Sequence, residues 1–337
     1  MKNIYKEVAE EQTRESLKIG FSCFGVTDDC MLRCKMCEKW KKDIFTIKPN
    51  LTTLDDWKKA ALSLRSLVNE GFEIDIGGGE ALLMKELWDL VKYCVNLGFR
   101  MNIATNGYLI DEDTAKKISD SGLQSIIISL DSLKAETHDS MRGVDGVFSR
   151  VMKAIDYLYK YSPDIHIGLC SIIMEKNLDD IIDLALWATN NPKIKSILFM
   201  AVMQPNNTLP KEEWYKEEFD YLWPKDIKKV QAVFDGLIRF RRMGYRMGNS
   251  TPQLLAFKSY YQDPNKFVKK SACNMDRAVH ISSVGDIFIC YRWPCLGNIT
   301  TDELAKVLTS EEANRVRQDI RNCKENCHFL LNCFYDE

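Results

Sequence analysis

Short runs rich in Ile, Val, Leu and Phe alternate with longer stretches of helical spacing through the first part of the chain. Runs at 19–26, 73–77, 100–105, 125–130, 166–173 and 196–203 predict strands, since β-branched and aromatic residues suit a pleated, buried surface. Between them, 55–68 places Trp57, Ala60, Ala61, Leu64 and Leu67 on one helical face, and 86–97 and 147–159 repeat that spacing. Asn106-Gly107, Ser121-Gly122 and Ser162-Pro163 punctuate the joins. Repeated β-α units predict an α/β fold with a parallel sheet, either open and doubly wound or curved into part of a barrel. Residues 206–270 lose this alternation and predict a helical connector, with one helix near 225–243. From Cys273 the pattern becomes a hairpin, with 278–282 and 286–290 flanking a turn at Ser283-Val284-Gly285.

Composition narrows the class. The chain has 337 residues, of which 45% are hydrophobic and 28% charged, as in an ordinary globular protein. A net charge of −2 carries no footprint for nucleic acid or an anionic membrane. No stretch is apolar for long enough to span a bilayer, and the charged start Met-Lys-Asn-Ile-Tyr-Lys-Glu lacks a secretory core, so a cytoplasmic location is expected. In that reducing setting the 12 cysteines point to metal or catalytic roles rather than disulfides. They cluster: three lie at 30–37 and six after residue 270.

The first cluster is the sharpest feature. Cys30, Cys34 and Cys37 form C-x3-C-x2-C immediately after the first predicted strand. Three thiolates hold three corners of a cubane iron–sulfur cluster, whose usual complement is four, and leave one iron open to a non-protein ligand. A zinc site is the alternative, but zinc favours paired cysteines with a second pair elsewhere. Gly77-Gly78-Gly79-Glu80 closes the second strand, where glycines permit close approach of a ligand to the backbone. The run does not fit a dinucleotide-binding fingerprint.

These motifs resemble the radical S-adenosylmethionine (radical SAM) superfamily, and the resemblance covers essentially the whole chain. It implies a (β/α)6 partial TIM barrel over 1–205, the helical connector over 206–270, and a small C-terminal α+β cluster-binding domain of SPASM/twitch type over 271–337. It also implies a [4Fe–4S] cluster on Cys30, Cys34 and Cys37 whose open iron takes the amino and carboxylate groups of SAM, with the resulting 5′-deoxyadenosyl radical abstracting hydrogen from a substrate. Met36 occupies a position that packs near the adenine in the family, loop packing being the alternative. Gly77, Gly78, Gly79 and Glu80 look like the family's GGE motif, with Ala81 where proline is usual, and are expected to receive the SAM ammonium group. Thr105 and Asn106 resemble a feature of the barrel mouth. Ser129, Asp131 and Arg142 resemble the strand-four serine and following arginine, with Arg142 pairing to the SAM carboxylate; a capping Asp131 and a solvated arginine are the alternative.

Cys273 and Cys290, spaced around Gly285, look like the opening of an auxiliary cluster domain, followed by Cys323-x3-Cys327-x5-Cys333. One auxiliary [4Fe–4S] cluster on Cys273, Cys290, Cys323 and Cys327 is expected, with Cys333 and Cys295 as substitutes and structural zinc as the alternative. Asp75 shares the parity of Gly77 and is a candidate substrate contact, or a rim charge. Cys170, on the fifth strand, is a candidate hydrogen donor or a small buried hydrophobe. The look-alike enzymes act on peptides, protein side chains, sugars or aminocyclitols. The expected substrate is a peptide or protein side chain, with a sugar or aminocyclitol alcohol as the second reading. Trp214, Tyr215, Trp223 and Tyr261 are candidate stacking surfaces for either. A low-potential donor such as flavodoxin or ferredoxin is the expected partner. A non-catalytic iron–sulfur electron carrier is the reading from a different class; it leaves Gly77–Glu80, Ser129 and Arg142 idle.

Overall fold

Alternating burial along each strand sets the architecture. The computed structural model describes residues 11, 14, 15, 17–41, 52–206, 208, 209, 211–265, 273–325 and 329–332. In β1 (Phe21–Thr27) Phe24 is buried and stacks on Trp57 at 5.3 Å, while Phe21, Cys23 and Gly25 remain half-exposed. Trp57 belongs to α1 (Leu54–Arg65), which starts where the Thr53 hydroxyl accepts from Asp56 N–H and the Asp56 carboxylate accepts from Thr53 N–H. The even positions of β1 therefore face the helices and the odd positions face the other side, the lumen.

The unit repeats through β2 (Glu73–Gly78), α2 (Leu87–Asn96), β3 (Arg100–Thr105), α3 (Glu112–Ser121), β4 (Ser125–Ser129), α4 (Ala135–Arg142), α5 (Val147–Tyr161), β5 (His166–Ile173), α6 (Ile181–Asn190) and β6 (Ser196–Ala201). All six strands are parallel and lie in sequence order. Right-handed crossovers that always step the same way put every helix on one face and leave the other concave. A doubly wound sheet reverses its order partway, and this one does not. The sheet stays open, so the fold is a (β/α)6 partial barrel.

Beyond β6 the chain covers the open edge. α7 (Ile227–Arg242) and α8 (Thr251–Gln262) pack together, and α7 packs on α6. The Asn249 side chain accepts from Phe199 N–H and donates to its carbonyl; Asn332 does the same at Ala201. Two amides thus imitate a neighbouring strand along β6 and blunt an edge open to other chains. Trp214, Tyr215, Trp223, Tyr260 and Tyr261 are all buried and stack edge-to-face or tilted at 4.9–5.8 Å. Tyr261 Oη donates to Ile173 O and Tyr260 Oη to Val202 O. These rings lock the connector to the barrel, and the expectation of stacking surfaces for a substrate is overturned by their burial.

The predicted hairpin forms as β7 (Ala278–Ile281) and β8 (Asp286–Phe288), with β9 (Gly297–Asn298) beside it. It is not a separate sheet: β7 pairs in parallel with β1, so nine strands form one continuous surface among the described residues. α9 (Leu304–Leu308), α10 (Glu311–Asn322) and α11 (Phe329–Asn332) complete the C-terminal part. Among the described residues no helix is long and apolar enough to cross a membrane.

Candidate active site at the strand ends

The cysteine loop leaves β1 and crosses the mouth of the lumen. Arg33 N–H donates to Arg142 O at 3.1 Å and Lys35 N–H to Met141 O at 3.0 Å, tying the loop to the end of α4. Further on, Cys37 bridges Asn206, past β6, and Glu38 N–H donates to Asn206 O at 3.1 Å. Gly143 makes the first contact possible: its φ is +71°, and a Cβ there would overlap the Arg33 carbonyl. Leu32 and Met36 are buried beneath the loop.

Cys30, Cys34 and Cys37 are each half-buried. Burial pushes Cys34 up to about 11, with the Arg142 cation opposing and the Cys37 and Cys30 thiols adding to the rise. Cys30 is also raised by burial, while hydrogen bonds from Leu32 N–H and the Asn106 amide hold it back. Cys37 adds to the rise at both, as a like charge in the same neighbourhood does.

The glycine loop lies against the root of the cysteine loop. Gly79 N–H donates to Thr27 O at 2.6 Å and Glu80 N–H to Asp29 O at 2.7 Å. A Cβ on Gly78 or Gly79 would overlap these same backbone atoms, whereas one on Gly77 would meet nothing within 4 Å. Two of the glycines thus admit protein backbone, and Gly77 leaves an open cradle on the lumen side. The Glu80 carboxylate is fully buried and accepts from Thr105 Oγ1 at 2.7 Å, Asn106 N–H at 2.8 Å and Leu82 N–H at 3.2 Å. Burial raises its pKa against those three donors. Glu80 therefore braces the end of β2 against that of β3. Asn106 continues the brace, its amide donating toward Cys30 Sγ at 3.8 Å and Met31 Sδ at 3.4 Å.

Asp131 and Arg142 form a buried ion pair, Nε to Oδ2 2.7 Å, with Arg142 8% and Asp131 0% exposed. The other Asp131 oxygen accepts from Ile172 N–H at 3.2 Å, and Asp131 N–H donates to His138 Nδ1 at 3.1 Å. Asn177 Nδ2 donates to Asp131 O at 2.8 Å. Asp131 therefore holds the guanidinium in place beside Cys34 and Cys170; it caps no helix, and Arg142 is not solvated. Burial keeps His138 neutral by lowering it to about 4. Ser129 is half-buried on the lumen face, level with Cys170, whose thiol burial pushes up to about 12.

The C-terminal cysteines gather at the opposite end of the sheet. Cys273, Cys290 and Cys323 line one apolar pocket together with Met275, Trp293 and Ile320. Phe21, at the foot of β1, packs against the same cluster. Cys295 is exposed, and its thiol donates to Gly297 O at 3.0 Å. Cys327 and Cys333 lie outside the described residues. Among the described residues no three His, Cys, Asp or Glu side chains are grouped closely enough to hold a metal ion.

Comparison with known proteins finds a family over each of the two parts of the chain. The profile of the radical SAM superfamily matches residues 25–188, and that of the SPASM iron–sulfur cluster-binding domain matches 273–333. The chain belongs to the radical SAM superfamily. It is 23% identical over 270 residues to the AdoMet-dependent heme synthase of Methanosarcina barkeri, covering 75% of this chain and 72% of that one. It is 32% identical over 197 residues to the GTP 3′,8-cyclase of Nautilia profundicola, covering 57% of this chain and 59%, less than two thirds, of the cyclase. SuiB of Streptococcus suis, solved with its precursor peptide SuiA, superposes with a TM-score of 0.68 at 17% identity over 98% of this chain and 75% of that one.

As a radical SAM protein with a SPASM domain, the chain takes SAM, a [4Fe–4S] cluster and an auxiliary iron–sulfur cluster. The residues present fit such groups: three coupled thiols, a glycine cradle open to the lumen and a buried cation at one end, three thiols in an apolar pocket at the other. The bracing groups Asn177 and His138, and the Ser283 hydroxyl donating to Asp28 at the root of the cysteine loop, were not expected. No local motif marks them: Asn177 and Ser283 act on partners 46 and 255 residues away, and His138 on Asp131 across the turn into α4.

Proposed function

We propose that this chain cleaves SAM reductively and removes hydrogen from a peptide or protein side chain. When bound, the first cluster and SAM supply an electron and a 5′-deoxyadenosyl radical. Cys30, Cys34 and Cys37 would hold that cluster, and Asn106 would donate to the Cys30 sulfur. Asp131 occupies the Nε–H of Arg142, which leaves the terminal N–H groups of the guanidinium for the SAM carboxylate. Gly77 leaves room for the methionine moiety, with Ser129 available from β4. Leu32 and Met36 close the loop's underside against water. Cys273, Cys290 and Cys323, joined by Cys327 or Cys333, would hold the auxiliary cluster at the other end of the lumen.

The observation that carries this reading is the cysteine loop held across the lumen mouth beside the Gly77 cradle and the buried Arg142. The fold shared with SuiB, solved with a precursor peptide, supports a peptide substrate. Relatives named for heme synthesis and GTP cyclisation support a small molecule as the second reading. A low-potential electron carrier of flavodoxin or ferredoxin type is the proposed donor. The test is anaerobic reconstitution with iron, sulfide, SAM and dithionite. Formation of 5′-deoxyadenosine, lost in Cys34→Ala, is the expected result; bound iron without it would favour an electron carrier.

A further inference from the structure

Asp75 lies on the Gly77 side of β2, facing the lumen one layer below the cradle, about 7 Å along the strand. Its register row runs from His280 on β7 through Cys23 on β1 to Asp75 and then Asn102 on β3. Asn102 Nδ2 donates to Asp75 Oδ1, and this leaves Asn102 Oδ1 buried without a partner. His280 Nε2, in the same row, is likewise buried without one. Among the described residues no Lys or Arg pairs with Asp75, and the charge acting on it is Glu73, of like sign. The surroundings of the row are aromatic: His280 lies 5.5 Å from the Phe21 ring and 4.7 Å from that of Tyr291.

A desolvated carboxylate without a cation opposes folding. Burial pushes Asp75 up to about 6, the physical mark of that opposition. Such a group persists where a ligand completes it, and this one lies between the two cysteine clusters, on the wall of the space that a substrate would fill.

We propose that Asp75 is the substrate-recognition carboxylate of the lumen, receiving an N–H-bearing group of the substrate (ammonium, guanidinium or carboxamide), flanked by Asn102 and His280. This rests on the proposed radical SAM activity and names the chemistry of its substrate.

The test titrates the reconstituted protein with SAM bound against N-acetyl-lysine methylamide, N-acetyl-arginine methylamide, N-acetyl-glutamine methylamide and N-acetyl-norleucine methylamide, followed by saturation-transfer NMR. At least one N–H-bearing probe is expected to bind about tenfold or more tightly than the norleucine probe, and Asp75→Val to erase the difference. Asp75→Asn, of the same shape without the charge, is expected to lose the cations and keep the carboxamide, so it separates the sources. Equal binding of the norleucine probe, no binding of any N–H probe, or unchanged preference in Asp75→Val overturns the proposal. The wild-type comparison among probes stands even if a variant fails to fold. 5′-Deoxyadenosine is measured on the same wild-type samples: its absence would overturn the enzymatic reading alone, while the binding series still decides the role of Asp75.

Discussion

Replacing Arg142 by Met isolates the buried ion pair. The substitution leaves the Asp131 carboxylate at 0% exposure with only the Ile172 N–H on its side chain. Breaking one side of a buried pair costs about 3–5 kcal/mol. A chain of 337 residues unfolds with an entropy of about 0.7 kcal/mol/K, so the melting temperature of the metal-free protein should fall by about 4–7 °C. Arg142→Met with Asp131→Leu removes both charges and leaves the Ile172 N–H without its acceptor, a loss of about 1–3 kcal/mol, or about 1–4 °C. Calorimetry should therefore find the double variant more stable than the single one. Both should fail to form 5′-deoxyadenosine, because the cation beside Cys34 is gone. A single variant that melts with the wild type, or a double variant that is fully active, would show that Arg142 and Asp131 do not act as a buried pair beside Cys34.

Three further outcomes follow from the same geometry. Gly143→Ala combines a left-handed φ of +71° with a Cβ that overlaps the Arg33 carbonyl, so iron bound per chain should drop as the cysteine loop is displaced; unchanged loading contradicts this. The folded pKa of Asp75, about 6, exceeds its ordinary 3.8, so its favourable contribution is present below 3.8 and lost as pH rises through 6. Asp75→Asn should then melt like the wild type at pH 4 and above it at pH 7.5; a pH-independent difference contradicts the assignment. Cys323→Ala should remove about one cluster's share of the iron while leaving the signal of the SAM-binding cluster, measured by iron analysis and electron paramagnetic resonance; loss of both signals would show that the two sites are not separable.

Local chemistry was legible in the sequence and distant pairing was not. The strand runs stood out as short apolar stretches between helical spacings, so β3 and β5 match their predicted bounds, and β1 is displaced by only one or two residues. α4 was not read as a helix because its buried residues are Thr137, His138, Met141 and Arg142, a polar set without an apolar stripe. C-x3-C-x2-C is visible because its ligands are neighbours in the chain. The Glu80 brace to Thr105 and Asn106 depends on parallel register, and the β7–β1 pairing joins residues more than two hundred apart. The connector aromatics could not be placed from composition, which does not separate a stacking platform from a core.

Every role proposed for the lumen depends on an open iron in a cluster held by Cys30, Cys34 and Cys37. The most direct measurement is the electron paramagnetic resonance spectrum of the dithionite-reduced protein before and after SAM is added. A shift in the cluster signal on adding SAM, lost in Cys34→Ala, is the predicted result. A spectrum indifferent to SAM would contradict the claim.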